Sequence, residues 1–306
     1  MEFENQGKLV QVYAKAEVIL SAGAIGSPSL LMASGIGPAS ALGQLGVPQL
    51  HNLKGVGSHL QDHVMVPIAH NLKQEGSSIH SMQGFNERLS YSFMGDSLVG
   101  SNLLEVGGLT SSSPDVEGLD IQFFGGPMWF VDPGYNPPAT KTSTKDGVTL
   151  LVSLSQPKSS GALHWTSVGE RPQIDPNYLA VGSDMEALLQ GVKLGREIMV
   201  NAEDDLIGDE EMPGLLIQSD EELKDYIRNT AMAGHDFSGT CKMGAKSDGM
   251  AVVDHQLRVH GISRLRVADL SICPIIPNGN GIATATMIGA KVADMIIEQD
   301  ESPAEP

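Results

Sequence analysis

The residues best suited to chemistry lie near the C-terminal end of the chain. His235 and Asp236 stand side by side in a stretch of polar, reactive and glycine residues that runs from 234 to 244. Histidine titrates near neutral pH and can take a proton from an alcohol, so His235 is a candidate general base. Asp236 is a candidate for orienting a neighbouring group or for holding a charge. A structural role for the histidine is the alternative that the residues alone leave open.

A second polar cluster precedes the last helix that the sequence predicts. Asp269 ends an apolar segment typical of a strand, and Asn280 lies in a turn rich in glycine and proline. Apolar residues at helical spacing, Val292, Met295 and Ile296, follow this turn. From the residues alone, Asn280 is best interpreted as an N-cap or turn residue.

The elements that must position these groups start at the beginning of the chain. Residues 9–14 alternate apolar and polar side chains, as in a half-buried strand, and residues 16–22 form an apolar run typical of a buried strand. Gly23 then begins a tight turn, which leads to Pro28 as a first helical residue and to an apolar helix over 29–33. Such a turn brings backbone N–H groups close to an anionic ligand, although a plain strand-to-helix turn has the same pattern.

A complete dinucleotide fingerprint is absent from the sequence. The Gly-Ile-Gly run at 35–37 follows a helix rather than a strand, and the Gly-Val-Gly run at 55–57 lacks a third glycine. Both runs therefore lack the strand-to-helix context that a phosphate-binding turn requires.

The middle of the chain has the pattern of an antiparallel sheet with helices. Short β-type segments at 121–124 and 148–154 are separated by turn-rich stretches, which favours an antiparallel sheet over repeated strand–helix–strand units. Two capping boxes, at 183–186 and 219–222, predict the N-termini of two helices. The apolar stripes of these helices are interpreted as core packing.

Composition and charge exclude several classes of protein. The chain has 306 residues, of which 41% are hydrophobic and 18% charged, as in folded globular proteins. Its 37 acidic and 19 basic residues give a formal charge of −18, so we expect neither nucleic-acid nor membrane-surface binding. No apolar run is long enough to span a bilayer.

The cysteines and the start of the chain limit the remaining possibilities. Cys241 and Cys273 are too few for a disulfide framework or a Cys-rich zinc site, and no metal site is predicted. Neither a basic region nor an apolar secretory core follows Met1, so we expect no signal peptide. This favours the cytoplasm but leaves the location open.

Several segments together resemble the glucose–methanol–choline (GMC) oxidoreductase family. Residues 23–37 match the second signature of that family at each constrained position. The likeness extends over almost the whole chain. The other segments similar to the family are 55–57, 60–63, 156–161, 174–178, 239–244 and 269–291.

The resemblance implies an FAD enzyme that oxidises an alcohol, a small-molecule substrate. In that family a histidine removes the hydroxyl proton while hydride passes from the carbon to flavin N5. A second His or Asn, just before the last helix, hydrogen-bonds the same oxygen, and Asn280 matches its position. The residues that the resemblance places at the cofactor are Gly23, Ala24, Asp269, Leu270, Gly281 and Thr284.

The resemblance also implies an α+β fold. Its parts are an incomplete FAD-binding α/β layer and an antiparallel-sheet substrate domain with helices packed on it. The predicted divisions are a remnant of the FAD-binding domain at 1–66, the substrate domain at 67–230, a catalytic segment returning to the FAD domain at 231–300 and a disordered tail at 301–306.

The position of the base departs from the family pattern. The family histidine usually stands three residues before the glycine of the Gly-Thr-Cys run, where this sequence has Asp236. His235 is one residue earlier, so it can serve if the local backbone absorbs the extra residue. Otherwise a carboxylate replaces the base, and near neutral pH a carboxylate accepts a proton less readily than an imidazole.

The N-terminal half of the family has no counterpart in the sequence. That half carries the Gly-rich turn for the FAD pyrophosphate, the acidic residue for the ribose and most of the strands around the dinucleotide. We therefore expect FAD binding by these 306 residues alone to be absent or weak. Residues 18–20 would then need cover, either from a homo-oligomer or from a complementary N-terminal half.

Three functions remain compatible with the sequence. The first is the C-terminal part of a GMC-type FAD-dependent alcohol oxidoreductase. The second is a flavin-free descendant that uses the substrate cleft for redox-neutral lyase, isomerase or cyclase chemistry on a small apolar metabolite. The third is a non-catalytic binding protein or pseudoenzyme.

Overall fold

The computed structural model describes residues 1–74, 78, 104–129, 146–202 and 206–301. Most of the predicted tail, residues 302–306, lies outside the described residues. The strands in chain order are β1 (Glu2–Asn5), β2 (Lys8–Gln11), β3 (Val18–Leu20), β4 (Ile36–Gly37), β5 (His51–Asn52), β6 (Ser58–Leu60), β7 (Val64–Leu72), β8 (Val106–Thr110), β9 (Ile121–Gly126), β10 (Gly147–Leu154), β11 (Gly161–His164), β12 (Gln173–Asp175), β13 (Ile207–Met212), β14 (Met232–Ala233) and β15 (Leu265–Val267). The α-helices are α1 (Gly23–Ala33), α2 (Ala39–Gln44), α3 (Gly182–Val200), α4 (Asp220–Thr230) and α5 (Gly281–Glu301).

The chain divides into two compact units, each built from separate segments. The first unit comprises Met1–Asp62, Ser160–Asn177 and Asp236–Pro306, and the second comprises His63–Ser159 and Tyr178–His235. Helices accompany mainly antiparallel strands, which confirms the predicted α+β class. The predicted domain boundaries, near 66 and 230, stay a prediction. In the described part of the chain, no helix is both long and apolar enough to cross a membrane.

The second unit is built on one antiparallel sheet. Its strand order is β13-β7-β10-β9-β8, and β14 also pairs with β7. The central strand β10 is buried at every position but one. Val152 of this strand shares a core with Leu188 and Val192 of α3, and all three side chains are fully buried. The β-type segments at 121–124 and 148–154 thus correctly predict two strands of this sheet, β9 and β10.

One of the two predicted capping boxes is present and the other is wrong. At the start of α4, Glu222 N donates to Ser219 Oγ at 3.3 Å and Ser219 N donates to Glu222 Oε2 at 2.9 Å. Helix α3 instead begins at Gly182, and no side chain caps it. Asp184, which is 2% exposed, accepts hydrogen bonds from the backbone of the Lys158–Ser159 segment. The carboxylate of the predicted box, Glu186, instead pairs with Lys224 of α4 at 2.7 Å.

The first unit contains a parallel pair of strands. Strand β3 pairs with β15, which lies more than two hundred residues later in the chain. Arg266 of β15 is 1% exposed, and its guanidinium donates to both carboxylate oxygens of Glu17 and to the side chain of Gln299. These bonds tie β15 to the segment before β3 and to α5. Ile19 of β3 is 41% exposed, so the predicted buried strand is covered only in part.

Candidate functional site

Asp269 joins the end of β15 to the N-terminus of α1. The residue is 9% exposed, and its Oδ2 accepts hydrogen bonds from Gly23 N at 3.0 Å and from Ser27 Oγ at 2.5 Å. Its Oδ1 accepts from Ser271 N at 2.8 Å. A carboxylate is stabilised at a helix N-terminus, because the unpaired N–H groups there carry partial positive charge. Two of the predicted cofactor residues, Gly23 and Asp269, are therefore bonded to each other.

The prediction that Pro28 is the first residue of α1 is wrong, and the actual start of the helix explains the contact that Thr240 makes. The helix begins at Gly23 and contains Pro28 in its interior. Proline has no N–H, so the carbonyl of Ala24, four residues earlier, has no helical donor. Thr240 Oγ1 donates to this carbonyl at 2.6 Å. The hydroxyl thus replaces the missing helical bond, and the carbonyl of Ala24, a predicted cofactor residue, is occupied by it.

Asp236 contacts the N-terminus of α5. Its Oδ1 accepts a hydrogen bond from Gly281 N at 2.8 Å, and the exposed Asn280 directly precedes this glycine. A Cβ atom on Gly281 would lie 2.5 Å from Leu270 Cδ1, so glycine is what permits this close approach. Thr284, in the first turn of the helix, is half-buried. Four of the predicted site residues therefore meet at one helix N-terminus, and Thr284 follows them on the helix.

The two candidates for the base differ in their surroundings. His235 is exposed, has a left-handed backbone with φ of 63°, and belongs to the second unit. Asp236 is half-buried and begins the last segment of the first unit. The contact with the Asn280 turn described above is made by Asp236. The choice of base itself stays a prediction.

Two consecutive buried polar residues lie outside the predicted site residues. Gln61 is 5% and Asp62 is 3% exposed, and they directly follow β6. Asp62 accepts a hydrogen bond from the backbone N–H of Asp236, and Gln61 accepts one from the backbone N–H of Ile276, four residues before Asn280. Consecutive polar residues at the end of a strand, inside a segment similar to the family, were the signal available in the sequence.

The two cysteines are buried thiols. Burial raises the pKa of Cys241, and it raises that of Cys273 to about 11, with a smaller contribution from the charge of Asp269. Both thiols are therefore protonated near neutral pH and are poor nucleophiles. Within the residues that the structure describes, no group of three or more His, Cys, Asp or Glu side chains could hold a metal ion.

Two family models match the chain, and both describe GMC oxidoreductases. The N-terminal model matches residues 1–65 and the C-terminal model matches residues 157–289. The chain belongs to the GMC oxidoreductase family. Members of this family bind FAD.

Similar proteins span about twice the length of this chain. The oxygen-dependent choline dehydrogenase of Pseudomonas syringae pv. tomato is 39% identical over 293 residues, which are 94% of this chain and 50% of that protein. The mitochondrial choline dehydrogenase of Homo sapiens is 39% identical over 305 residues, 97% of this chain and 50% of that protein. A formate oxidase variant from Aspergillus oryzae RIB40, studied for FAD modification, superimposes with a TM-score of 0.84 at 27% identity, over 96% of this chain and 56% of that one. The chain thus spans about half the length of the curated relatives it matches.

The described residues of this GMC chain fit FAD only in part. Helix N-termini suit an anionic pyrophosphate, but Gly23 N of α1 and Gly281 N of α5 each already donate to a carboxylate of this chain, Asp269 and Asp236. The parallel sheet beside α1 also has only two described strands, whereas a dinucleotide-binding sheet has several. The described residues therefore do not build a complete FAD cradle, and weak or absent FAD binding by this chain alone stays a prediction.

Proposed function

We propose that this chain provides the substrate side of a GMC-type, FAD-dependent alcohol oxidoreductase. The observation that carries the proposal is the 2.8 Å hydrogen bond from Gly281 N to Asp236 Oδ1. It joins the place of the family histidine to the turn that holds Asn280. Membership of the GMC family supports the same assignment.

In this proposal two side chains handle the hydroxyl group of the substrate. Asp236 takes the hydroxyl proton, and the side-chain amide of Asn280 donates a hydrogen bond to the same oxygen. FAD, when bound, supplies the hydride acceptor. Because Gly281 N already holds the carboxylate, Asp236 is oriented before the substrate arrives.

The proposed substrate is a small alcohol, and choline is the first to test. Two choline dehydrogenases are among the proteins similar to this chain at 39% identity. A formate oxidase is similar in structure, so a small aldehyde or acid is the next class to test. We propose no nucleic-acid or membrane partner, in keeping with the formal charge of −18.

We also propose that the exposed face of β3 is covered in the working protein by an N-terminal GMC half. A groove of about 620 Å³ runs along this strand and is lined by apolar residues that include Phe3, Ile19 and Leu30. These three side chains are between 41% and 47% exposed. Parallel strands are normally covered on both faces, so an additional layer of structure suits this groove. For the isolated chain the same surface predicts self-association, which sedimentation would detect.

The test is the reduction of flavin by alcohols in the absence of oxygen. FAD is added to the purified chain, alone and co-expressed with the N-terminal half of the Pseudomonas syringae choline dehydrogenase. We expect the visible flavin band to bleach with choline or another small alcohol when the half is present. Full flavin occupancy without bleaching by any alcohol would show the proposal to be wrong. Conversion of a substrate without flavin would instead support redox-neutral chemistry.

A further inference from the structure

Two consecutive residues hold both segments of the proposed site. We name Gln61 and Asp62 the clamp, since Asp62 accepts a hydrogen bond from the backbone of Asp236 and Gln61 accepts one from the backbone close to Asn280. Strand β6 leads directly into the clamp and pairs with β11, so the clamp begins on a fixed strand. The same unit contains Asp236 and Asn280, which are the residues proposed to handle the substrate hydroxyl.

The first arm of the clamp is Asp62. Its Oδ1 accepts a hydrogen bond from the backbone N–H of Asp236 at 2.7 Å, across 174 residues of chain. The carboxylate belongs to a residue that is 3% exposed. A hydrogen bond to a buried carboxylate is stronger than one between neutral groups, and its loss leaves the N–H without that acceptor. The direction in which Asp236 points is therefore tied to Asp62.

The second arm is Gln61. Its Oε1 accepts from the backbone N–H of Ile276 at 3.1 Å, four residues before Asn280. Its own backbone exchanges two hydrogen bonds with Ser238, at 3.1 and 2.9 Å, two residues after Asp236. Gln61 thus binds one segment through its side chain and the other through its backbone.

We propose that Gln61 and Asp62 are positioning residues that set the distance between Asp236 and Asn280. Neither side chain is assigned contact with the substrate. Each acts by holding the backbone of a segment that carries a reacting group. The inference rests on the proposed function, because the distance matters for catalysis only if Asp236 and Asn280 share one hydroxyl. A misplacement of about 1 Å between reacting groups can lower a rate by about 10²-fold.

The test uses one disruptive and one conservative variant for each arm. Asp62→Ala and Gln61→Leu remove the acceptor, whereas Asp62→Asn and Gln61→Glu keep an oxygen at the same place. The matched control is Asp184→Asn in the second unit, since Asp184 is 2% exposed and also accepts backbone N–H bonds. Circular dichroism first shows which variants are folded. If the disruptive variants do not fold, the conservative variants are used in the measurements instead.

The first measurement is amide hydrogen exchange by NMR and needs neither cofactor nor substrate. We expect Asp62→Ala to speed exchange at the amide of Asp236 by about tenfold or more, and Gln61→Leu to do so at Ile276. The conservative variants are expected to cause smaller changes at the same amides. The control is expected to change neither amide. If the amides of Asp236 and Ile276 exchange as in the wild type in all folded variants, the clamp is wrong, whatever the turnover.

The second measurement is the rate of flavin reduction by an alcohol, with each variant co-expressed with the N-terminal half used above. We expect the disruptive variants to lower kcat by about 10²-fold, while KM changes by less than about threefold. The conservative variants are expected to recover a large part of the rate, and the control to keep all of it. Faster amide exchange with an unchanged kcat would overturn the positioning role. If exchange is faster in the variants but the wild-type chain itself reduces no flavin, the proposed function is overturned and the clamp has only a structural role.

Discussion

Both compact units bury aspartates that accept backbone N–H bonds, but the two units use them over very different distances along the chain. In the second unit, Asp120 and Asp184 bind backbone groups 8 and 25 residues away. In the first unit, Asp62 and Asp269 bind backbone groups 174 and 246 residues away. These buried aspartates thus bind nearby segments in the second unit and distant segments in the first. The same substitution should therefore have different consequences in the two units.

The largest expected effect distinguishes Asp236 from its neighbour His235 as the general base. We expect Asp236→Asn to lower the rate of flavin reduction by about 10²–10⁴-fold, the contribution of a general base. His235→Ala, the control on the other side of the boundary, is expected to retain most of the rate. Stopped-flow measurement with choline or the best alcohol found gives both values. The opposite pattern would return the role of base to His235.

The next effect compares one buried aspartate from each unit. Asp269→Ala removes the acceptor of three hydrogen bonds, from Gly23, Ser27 and Ser271, and is expected to cost about 3 kcal/mol or more of unfolding free energy. Asp184→Ala is expected to cost a similar amount.

Urea unfolding measures both losses, and amide exchange locates them. Only the change at Asp269 should speed exchange at the N-terminus of α1, because only that carboxylate binds Gly23 N. Faster exchange at α1 in the Asp184 variant would contradict the separation of the two units.

A smaller effect tests helix capping within the second unit. Ser219→Ala is expected to cost about 1 kcal/mol, because it removes an N-cap that is present, whereas Ser183→Ala should change stability by less than about 0.5 kcal/mol. Hydrogen bonds from Ser219 lower the pKa of Glu222 below its ordinary 4.5. The stabilisation by this carboxylate is therefore present above pH 4.5 and is lost as the pH falls through its lowered pKa.

Thermal unfolding between pH 3 and 7 measures both variants. The Ser219 variant should lose part of the pH dependence that the wild type shows, and the Ser183 variant should keep it. Equal effects of the two substitutions would contradict the assignment of the cap.

The last prediction concerns a thiol of the first unit and requires no substitution. Burial raises the pKa of Cys273 from 9.0 to about 11, so at pH 8 its thiolate fraction falls by about 10²-fold. We expect alkylation of the folded chain at pH 8 to be slower than that of the urea-unfolded chain by at least this factor. Mass spectrometry of the labelled peptide measures it, and equally fast labelling would exclude a buried thiol.

The parts of the fold predicted from sequence are those that a local pattern of residues specifies. The run at 148–154 predicts β10, because continuous burial demands apolar residues at successive positions. The box at 219–222 predicts the start of α4, because both of its hydrogen bonds join residues three apart. The candidate residues Asp236, Asn280 and Asp269 were also marked by sequence, through their likeness to the GMC family.

Other features depend on partners that no local pattern reveals. Ser183 and Glu186 have the same local pattern as the real capping box, yet Glu186 pairs with Lys224 of α4. Helix α1 extends back past Pro28 to Gly23, because Thr240 supplies the donor that proline lacks.

Sequence alone therefore determined several of the elements, the family and the candidate site residues. The contact of Asp236 with the α5 N-terminus, and the hold of Gln61 and Asp62 on both segments, came from the three-dimensional fold. The physical reason is that a hydrogen bond across 45 or 174 residues depends on where two distant segments meet. That meeting place is set by the packing of the whole unit, and periodicity along one segment carries no information about it.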